Sequence, residues 1–173
     1  MEGALNRSSG IFHNCDKAEA CLKIMLSANW MPNPEDTYNN IAKTISEVLG
    51  ADEVYLDMLD PEGEYFSRIS RLKVPGKTFV EERKLWNVGL GRSRIILNSK
   101  VPEIQDYANP RVDEVLPYDE NRYGICLPVI SDGVAIGLCS VSYFERRVWS
   151  EEDIEDFAFI GKIIGTCIQK FRT

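Results

Sequence analysis

The chain has 173 residues, of which 44% are hydrophobic and 27% charged, a composition that suits one globular domain with a sizeable core. Its formal net charge of −7 argues against a nucleic-acid-binding surface, because such a surface needs a basic patch. No apolar run is long enough to span a bilayer, so we expect neither nucleic acid nor membrane as a partner.

The N-terminal segment and the cysteines favour a cytoplasmic protein. Residues 1–10 are small and polar without an apolar core, so we predict a flexible arm over residues 1–13 and no signal peptide. An odd number of cysteines at irregular spacing favours buried, reduced thiols over disulfides or a metal site. Nothing around the single histidine, His13, supports a zinc site or a catalytic dyad. The cysteines are Cys15, Cys21, Cys126, Cys139 and Cys167.

Two helices are predicted near the N-terminus. Residues 14–28 have helical periodicity, and the second helix begins with Asn33 as N-cap and Pro34 at the first helical position. Gly50 ends it as a left-handed cap. The apolar stripe of the first helix is formed by Cys15, Ala18, Leu22, Met25 and Leu26.

The middle of the chain is predicted to form strands around one short helix. The expected elements are strands 54–59, 64–72 and 79–85, a helix at 92–98, an extended piece at 101–106, and a connection at 107–123. Asp60 to Gly63 has turn residues, which makes the first two strands a hairpin. Long ordered connections such as 107–123 tend to be functional.

The most apolar stretch, Gly124 to Tyr143, predicts two central strands joined by a tight turn at Asp132-Gly133. Proline cannot donate to a strand ladder, so Pro128 is expected at a bulge or at an unpaired site. Gly137 suggests close approach by a packed helix.

A long helix ends the chain. Ser150 with Asp153 forms a capping-box variant, and the helix is expected to run to about Phe171. Ile160 and Ile163 widen its apolar stripe beyond what one packing partner needs.

The order of these elements and four local motifs resemble a GAF domain over about residues 36–171. The motifs are Gly89-Leu90-Gly91, Val101-Pro102-x-Ile104-x-Asp106, Leu127-Pro128-Val129 followed by Gly133 and Ile136-Gly137, and the Trp149-Ser150-Glu151-Glu152-Asp153 opening of the last helix. Each motif is loose alone, but together they are specific for the fold and say little about a ligand.

The resemblance implies an α+β fold with a central antiparallel sheet. The N- and C-terminal helices would cover one face, and the short helix and long loop would form a small-molecule pocket on the other. We expect a single GAF-like domain over residues 14–173, with an N-terminal helix in 14–32 and the core in 33–173. Such modules usually sense or dimerise in signalling proteins, so the resemblance implies a homodimer that pairs through terminal helices and serves an output domain of a longer protein.

Six candidate ligand-binding residues follow from the resemblance. Asp106 occupies the family's acidic position at the pocket rim, where it either accepts a hydrogen bond from a ligand amine or ring N–H or caps the following loop. The aromatic candidates present apolar bodies with polar tips, or serve in plain packing, and Cys126 either faces the pocket or is a buried thiol. The aromatic candidates are Trp86, Tyr107, Tyr118 and Tyr123.

The sequence departs from three ligand-binding or catalytic branches of the family. Ser142-Tyr143 stands where cyclic-nucleotide-binding members have an Asn-Lys pair, and no Cys-His pair is present for a covalent bilin. Residues 107–123 contain none of the cysteines that free methionine sulfoxide reductases carry there. We therefore predict a non-catalytic sensory module without a metal, with ligand and cofactor identity open. The alternatives are a dimerisation or interaction module without ligand and, third, a thiol-dependent reductase that uses Cys126 or Cys139.

Overall fold

A computed structural model describes residues 10–29, 33–73, 78–79, 85–87, 92–106 and 123–171 of the chain. The strands in this part are β1 (Glu53–Leu59), β2 (Tyr65–Lys73), β3 (Thr78–Phe79), β4 (Leu85–Asn87), β5 (Glu103–Asp106), β6 (Tyr123–Ser131) and β7 (Val134–Tyr143). They form one antiparallel sheet in the order β3-β2-β1-β7-β6-β5, and β4 pairs with β2. The predicted α+β fold with a central antiparallel sheet is confirmed.

Helices lie on both faces of the sheet. They are α1 (Lys17–Asn29), α2 (Pro34–Leu49), α3 (Arg92–Ser99) and α4 (Glu151–Ile168), and α4 continues into a 3₁₀ turn at Gln169–Phe171. The main core lies between the sheet and α2 and α4, and α1 packs across these two helices. We call this side of the sheet the α2/α4 face. The opposite side, on which Ile96 of α3 packs against Phe66 and Leu138, is the α3 face.

The predicted helix caps are confirmed. The Asn33 side chain accepts a hydrogen bond from the Asp36 N–H at 2.8 Å, and Gly50 ends α2 with φ 61°. At the start of α4, Ser150 and Asp153 form a reciprocal capping box: each backbone N–H donates to the other residue's side chain, at 2.8 and 3.2 Å. Each side chain thereby satisfies an amide that helix geometry would leave without a partner.

The central hairpin also forms as predicted. Asp132 and Gly133 both have positive φ (49° and 76°), the conformation that a primed two-residue turn requires. Pro128 lies one residue before a register shift in the β6–β7 ladder and beyond the part of β6 that β5 pairs. Both surroundings tolerate a residue without an N–H.

The close approach at Gly137 has a different partner from the one predicted. A Cβ on Gly137 would lie 2.5 Å from the Asp57 backbone oxygen, so the neighbour that requires glycine is strand β1 and not a helix. The helix-packing glycines are Gly161 and Gly165 of α4, whose Cβ positions would collide with the backbone oxygens of Pro128 and Ile130. Two glycines thus let α4 lie directly on β6.

The predicted apolar stripe of α1 is wrong. The side chains of Leu22, Met25 and Leu26 are 56, 43 and 47% exposed. The helix buries a face of mostly small side chains against α2 and α4, which allows close helix packing and carries little hydrophobic signal. The buried residues are Ala20, Cys21, Ile24, Ser27 and Ala28.

The wide stripe of α4 is occupied within the chain. Ile160 is fully buried and Ile163 is partly buried against the same core, because α4 packs on β6 with one side and on α1 with another. The width of this stripe therefore gives no support to a second copy of the chain.

The end of the predicted flexible arm is packed against the domain. Residues 1–9 lie outside the described residues, but Ile11 is buried and the His13 N–H donates to the Val48 carbonyl at 2.7 Å. Residues 11–13, which the sequence assigned to the arm, therefore contact the core and the end of α2.

The contact between α4 and β6 predicts whether a glycine-to-alanine mutation in α4 stabilises or destabilises the protein. Alanine in place of glycine in a helix normally stabilises by about 1 kcal/mol. We expect Gly161→Ala to destabilise the protein by about 1–3 kcal/mol instead, because the new methyl group meets a backbone oxygen that side-chain movement cannot displace. Urea denaturation measures the effect. Thr166→Ala, at an exposed position of the same helix, is the control and should change stability by less than about 0.5 kcal/mol. A stabilised Gly161→Ala would show that α4 does not lie this close to β6.

Candidate functional site

The α3 face of the sheet carries buried polar side chains at its centre. Because alternate residues of a strand point to the same face, Glu53, Tyr55 and Asp57 of β1 share the α3 face. Their cross-strand partners on β7 are Ser142, Ser140 and Leu138. Glu53 is fully buried and Asp57 is 3% exposed, and the Tyr55 hydroxyl donates to a Glu53 carboxylate oxygen at 2.6 Å. We call Glu53, Tyr55, Asp57, Ser140 and Ser142 the polar cluster.

Basic residues occupy the neighbouring register positions of β2. Arg68 pairs with Asp57, Arg71 with Tyr55 and Lys73 with Glu53 in the β1–β2 ladder. The strand next to β1 therefore has basic residues at the register positions of the polar cluster.

Cys126 borders the polar cluster on the same face. Its thiol is buried with Phe66, Ile96 and Leu138, and the Ser140 hydroxyl donates to its sulfur at 3.6 Å. Cys139, on the α2/α4 face, is fully buried; burial first, and then Cys126 and Asp57, raise the pKa of this thiol well above its usual range. Neither thiol has the exposed, electropositive setting that produces a reactive thiolate.

The structure describes the side chains of two of the six predicted site residues, and these two lie on opposite faces of the sheet. Cys126 lies on the α3 face. Tyr123 is two residues before the core residue Ile125 in the same strand, so both side chains point to the α2/α4 face. Trp86 and Asp106 have backbone positions in β4 and β5, and their side chains lie outside the described residues, as do Tyr107 and Tyr118 entirely.

Sequence reasoning missed the polar cluster although a signal was present. Along this strand Val54, Leu56 and Met58 alternate with Tyr55 and Asp57. In the structure β1 is flanked on both sides by other strands, and its polar side is also buried. Polar residues alternating along a central strand are therefore the signal for a buried polar site.

A concave region lies on the α2/α4 face at the β5 end of the sheet. This cleft has a volume of about 160 Å³ and lies between β5, the start of β6 and the connection from β7 to α4. We call it the arginine cleft; its lining residues are Ile104, Gln105, Tyr123, Arg146, Arg147, Val148 and Trp149.

Aromatic packing fixes the floor of the arginine cleft. The Trp149 ring packs edge-on against Phe157 at 5.7 Å and lies 6.0 Å from the ring of Tyr143. The Arg147 guanidinium lies 4.5 Å from the Tyr143 ring centre, and the Tyr143 hydroxyl donates to the Leu49 carbonyl at 3.1 Å. Burial raises the pKa of Tyr143, although Arg147 partly opposes this shift.

Residues 33–168 match the family model of the GAF domain. The chain belongs to the GAF domain family. This assignment confirms the resemblance in the sequence. In the described part of this GAF domain, no helix is long and apolar enough to cross a membrane, and no three His, Cys, Asp or Glu side chains are placed to hold a metal ion.

Solved structures share the fold at low sequence identity. The GAF domain of a phosphoenolpyruvate-protein phosphotransferase from Coxiella burnetii is 17% identical, with 90% of this chain and 94% of that chain covered and a TM-score of 0.71. Free methionine-R-sulfoxide reductase from Neisseria meningitidis, in complex with its substrate, is 16% identical over 95% and 97% of the two chains, with a TM-score of 0.69. A phycocyanobilin-bound GAF domain from a cyanobacterial phytochrome is 17% identical over 91% and 96%, with a TM-score of 0.68. A comparison with curated protein sequences finds no significant match.

The environment of Tyr143 predicts a pH dependence of stability. Its pKa is raised in the folded state, so between about pH 10 and the folded pKa the unfolded chain releases a proton that the folded protein keeps, and stability falls as pH rises. Tyr143→Phe should cost about 1 kcal/mol near neutral pH through the lost bond to Leu49. At about pH 11 the wild type loses roughly 1.4 kcal/mol that the variant does not lose, so the variant should then be as stable as the wild type or slightly more stable. Urea denaturation of both proteins at neutral pH and at about pH 11 tests this prediction. A difference in unfolding free energy between wild type and variant that is the same at both pH values contradicts it.

Proposed function

We propose that this GAF domain is a non-catalytic sensory module that binds a small molecule on the α3 face of its sheet. The observation that carries the proposal is the polar cluster, in which Glu53 and Asp57 are held at 0 and 3% exposure at the centre of the sheet. Burying carboxylates costs free energy, and buried ionisable groups that lie together are candidates for a functional site. Two structures of the same fold hold a bilin or a substrate, which supports a ligand-binding role for the fold.

The chemistry of the cluster defines the ligand that would suit it. Carboxylate, hydroxyl and thiol groups converge on this face, so a ligand with N–H or O–H donors and a compact apolar part would match Asp57, Tyr55 and Cys126. Trp86, Asp106, Tyr107 and Tyr118 remain proposed contacts of the same ligand. Tyr123 is not included, because its side chain points to the α2/α4 face, on the other side of the sheet.

The burial of the thiols favours sensing over catalysis. A reductase of the methionine sulfoxide type needs an accessible thiolate, and both Cys126 and Cys139 are buried. A cytoplasmic location and an output domain in a longer protein belong to the same proposal.

A thermal-shift screen tests ligand binding. The panel contains cyclic AMP, cyclic GMP, purines, amino acids and 2-oxo acids. A ligand at about a hundred times its dissociation constant adds roughly 2.7 kcal/mol, which raises the Tm by about 5–10 °C for a domain of this size. We expect at least one compound with free donor groups to produce such a shift.

Variants assign the shift to the polar cluster. Asp57→Asn and Glu53→Gln should each reduce the ligand-induced shift to less than half, whereas Glu47→Gln, on the exposed side of α2, should leave it unchanged. Each ligand-induced change in Tm is measured relative to the same variant without ligand, so a variant's own loss of stability is not counted as a loss of binding. A flat screen, or a shift that both cluster variants retain, would contradict the proposal.

A second role, dimerisation, is favoured by the exposed side of α1. Leu22, Met25 and Leu26 form an apolar strip on one helix, flanked by the Lys23–Glu19 ion pair at 3.0 Å. An apolar seam with charged flanks is the pattern that two helices use to pair, so we propose a second copy of this chain as its occupant.

Light scattering tests the dimer. We expect about twice the chain mass of 19.7 kDa at micromolar concentration. The double variant Leu22→Glu/Met25→Glu should be a monomer, and Val134→Glu, at a similarly exposed apolar position on β7, should remain a dimer. A wild-type protein that is strictly monomeric would remove this role and leave ligand binding intact.

A further inference from the structure

The arginine cleft is a candidate site that the proposed sensory role does not use. It lies on the α2/α4 face, whereas the polar cluster lies on the α3 face, so the thickness of the sheet separates the two. Strand β5, which forms one wall, is the last strand of the sheet order in the described part of the chain. Among the described residues, no further strand pairs with β5 on its outer side.

The charge of the cleft is opposite to that of the protein. The chain has a net charge of −7, yet Arg146 and Arg147 are adjacent and exposed at the rim. Acidic residues are close in sequence at Glu145 and Glu151, but neither arginine has a carboxylate within 4 Å among the described residues. Two exposed guanidinium groups without an acidic partner offer a local site for carboxylates.

The apolar part of the cleft has the composition of a binding hot spot. Val148 is 86% exposed, the largest exposed fraction among the large apolar side chains that the structure describes, and Ile104 is also exposed. Tyr123 and Trp149 also line the cleft, and both are half-buried. Tryptophan, tyrosine and arginine are the residues that dominate binding energy at protein interfaces. Because Trp149 is already fixed by Phe157 and Tyr143, little ordering is needed when a partner binds.

The size of the cleft selects the kind of partner. A volume of about 160 Å³ is below the roughly 300–1,000 Å³ of pockets for drug-sized ligands and cofactors. It is suited to one or two side chains of a peptide. Two copies of the chain related by a two-fold axis through this surface would bring four arginines together, and like charges oppose that contact.

We propose that the arginine cleft is the docking site for an acidic peptide segment of a partner protein. An apolar or aromatic side chain of the peptide inserts against Trp149 and Ile104, and flanking carboxylates pair with Arg146 and Arg147. Partner recognition would then take place at the β5 end of the sheet on the α2/α4 face, and ligand binding on the α3 face.

A peptide selection tests the proposal without knowledge of the natural partner. The probe is a randomised library of short peptides displayed on phage, selected on the wild-type protein after depletion on the double variant Arg146→Glu/Arg147→Glu. The enriched peptides are expected to contain an apolar or aromatic residue flanked by Asp or Glu. Failure to enrich any sequence, or enrichment of basic or uncharged sequences, overturns the proposal.

Fluorescence anisotropy on the best enriched peptide locates the site. Arg146→Glu and Arg147→Glu should each weaken binding roughly fivefold to tenfold, and Val148→Ser should weaken it about threefold. Lys43→Glu, an equal change of charge at an exposed position on α2, should leave the affinity within about twofold. A thermal melt of every variant serves as the control that each one folds.

Two further outcomes would each overturn the peptide assignment. Displacement of the peptide by inorganic phosphate at equal concentration would show a site for small anions. Self-association that is lost in Arg146→Glu but retained in Leu22→Glu/Met25→Glu would show an interface between copies of this chain. Neither outcome bears on ligand binding at the polar cluster, so the two proposals fail independently.

Discussion

The contact of α4 with the backbone of β6 is the constraint on which the rest of the structure depends. Gly161 and Gly165 bring the helix against the carbonyl oxygens of Pro128 and Ile130 without an intervening side chain. With α4 this close, Phe157 and Ile160 reach the core and the other side of the helix remains available to α1. The small residues of α1 continue the same close packing, so the layers on this face are held together by backbone proximity as much as by large side chains.

In the described part of the chain the two faces of the sheet have different compositions. Strand alternation sends Val54, Leu56 and Met58 to the main core and Tyr55 and Asp57 to the α3 face, where the described residues form a smaller apolar cluster around Phe66 and Ile96. One strand thus contributes apolar side chains to the core on one face and buried polar side chains to the other. In our proposal the polar set is the one that recognises a ligand.

The sequence predicted the elements whose local signals are strong. The caps at Asn33 and Ser150, the turn at Asp132-Gly133 and the family itself all follow from residues close together in the chain. What could not be predicted depends on partners distant in the chain. The buried face of α1 consists mostly of small residues whose burial has little hydrophobic signal. Gly137 approaches the backbone of β1, a strand distant in the sequence, and the buried state of Glu53 follows only from the strand order. The arginine cleft combines side chains from β5, β6 and the connection before α4, and no local pattern brings these together.

The turn of the central hairpin has a mechanical consequence. Lys100, just after α3, donates to the Gly133 carbonyl at 2.6 Å, and Gln169, just after α4, donates to the Asp132 carboxylate at 2.5 Å. The ends of two helices on opposite faces of the sheet are therefore attached to the same two-residue turn, one through the Gly133 carbonyl and the other through the Asp132 side chain. This turn joins the helical layers of the two faces at the end of the sheet, outside the packed core.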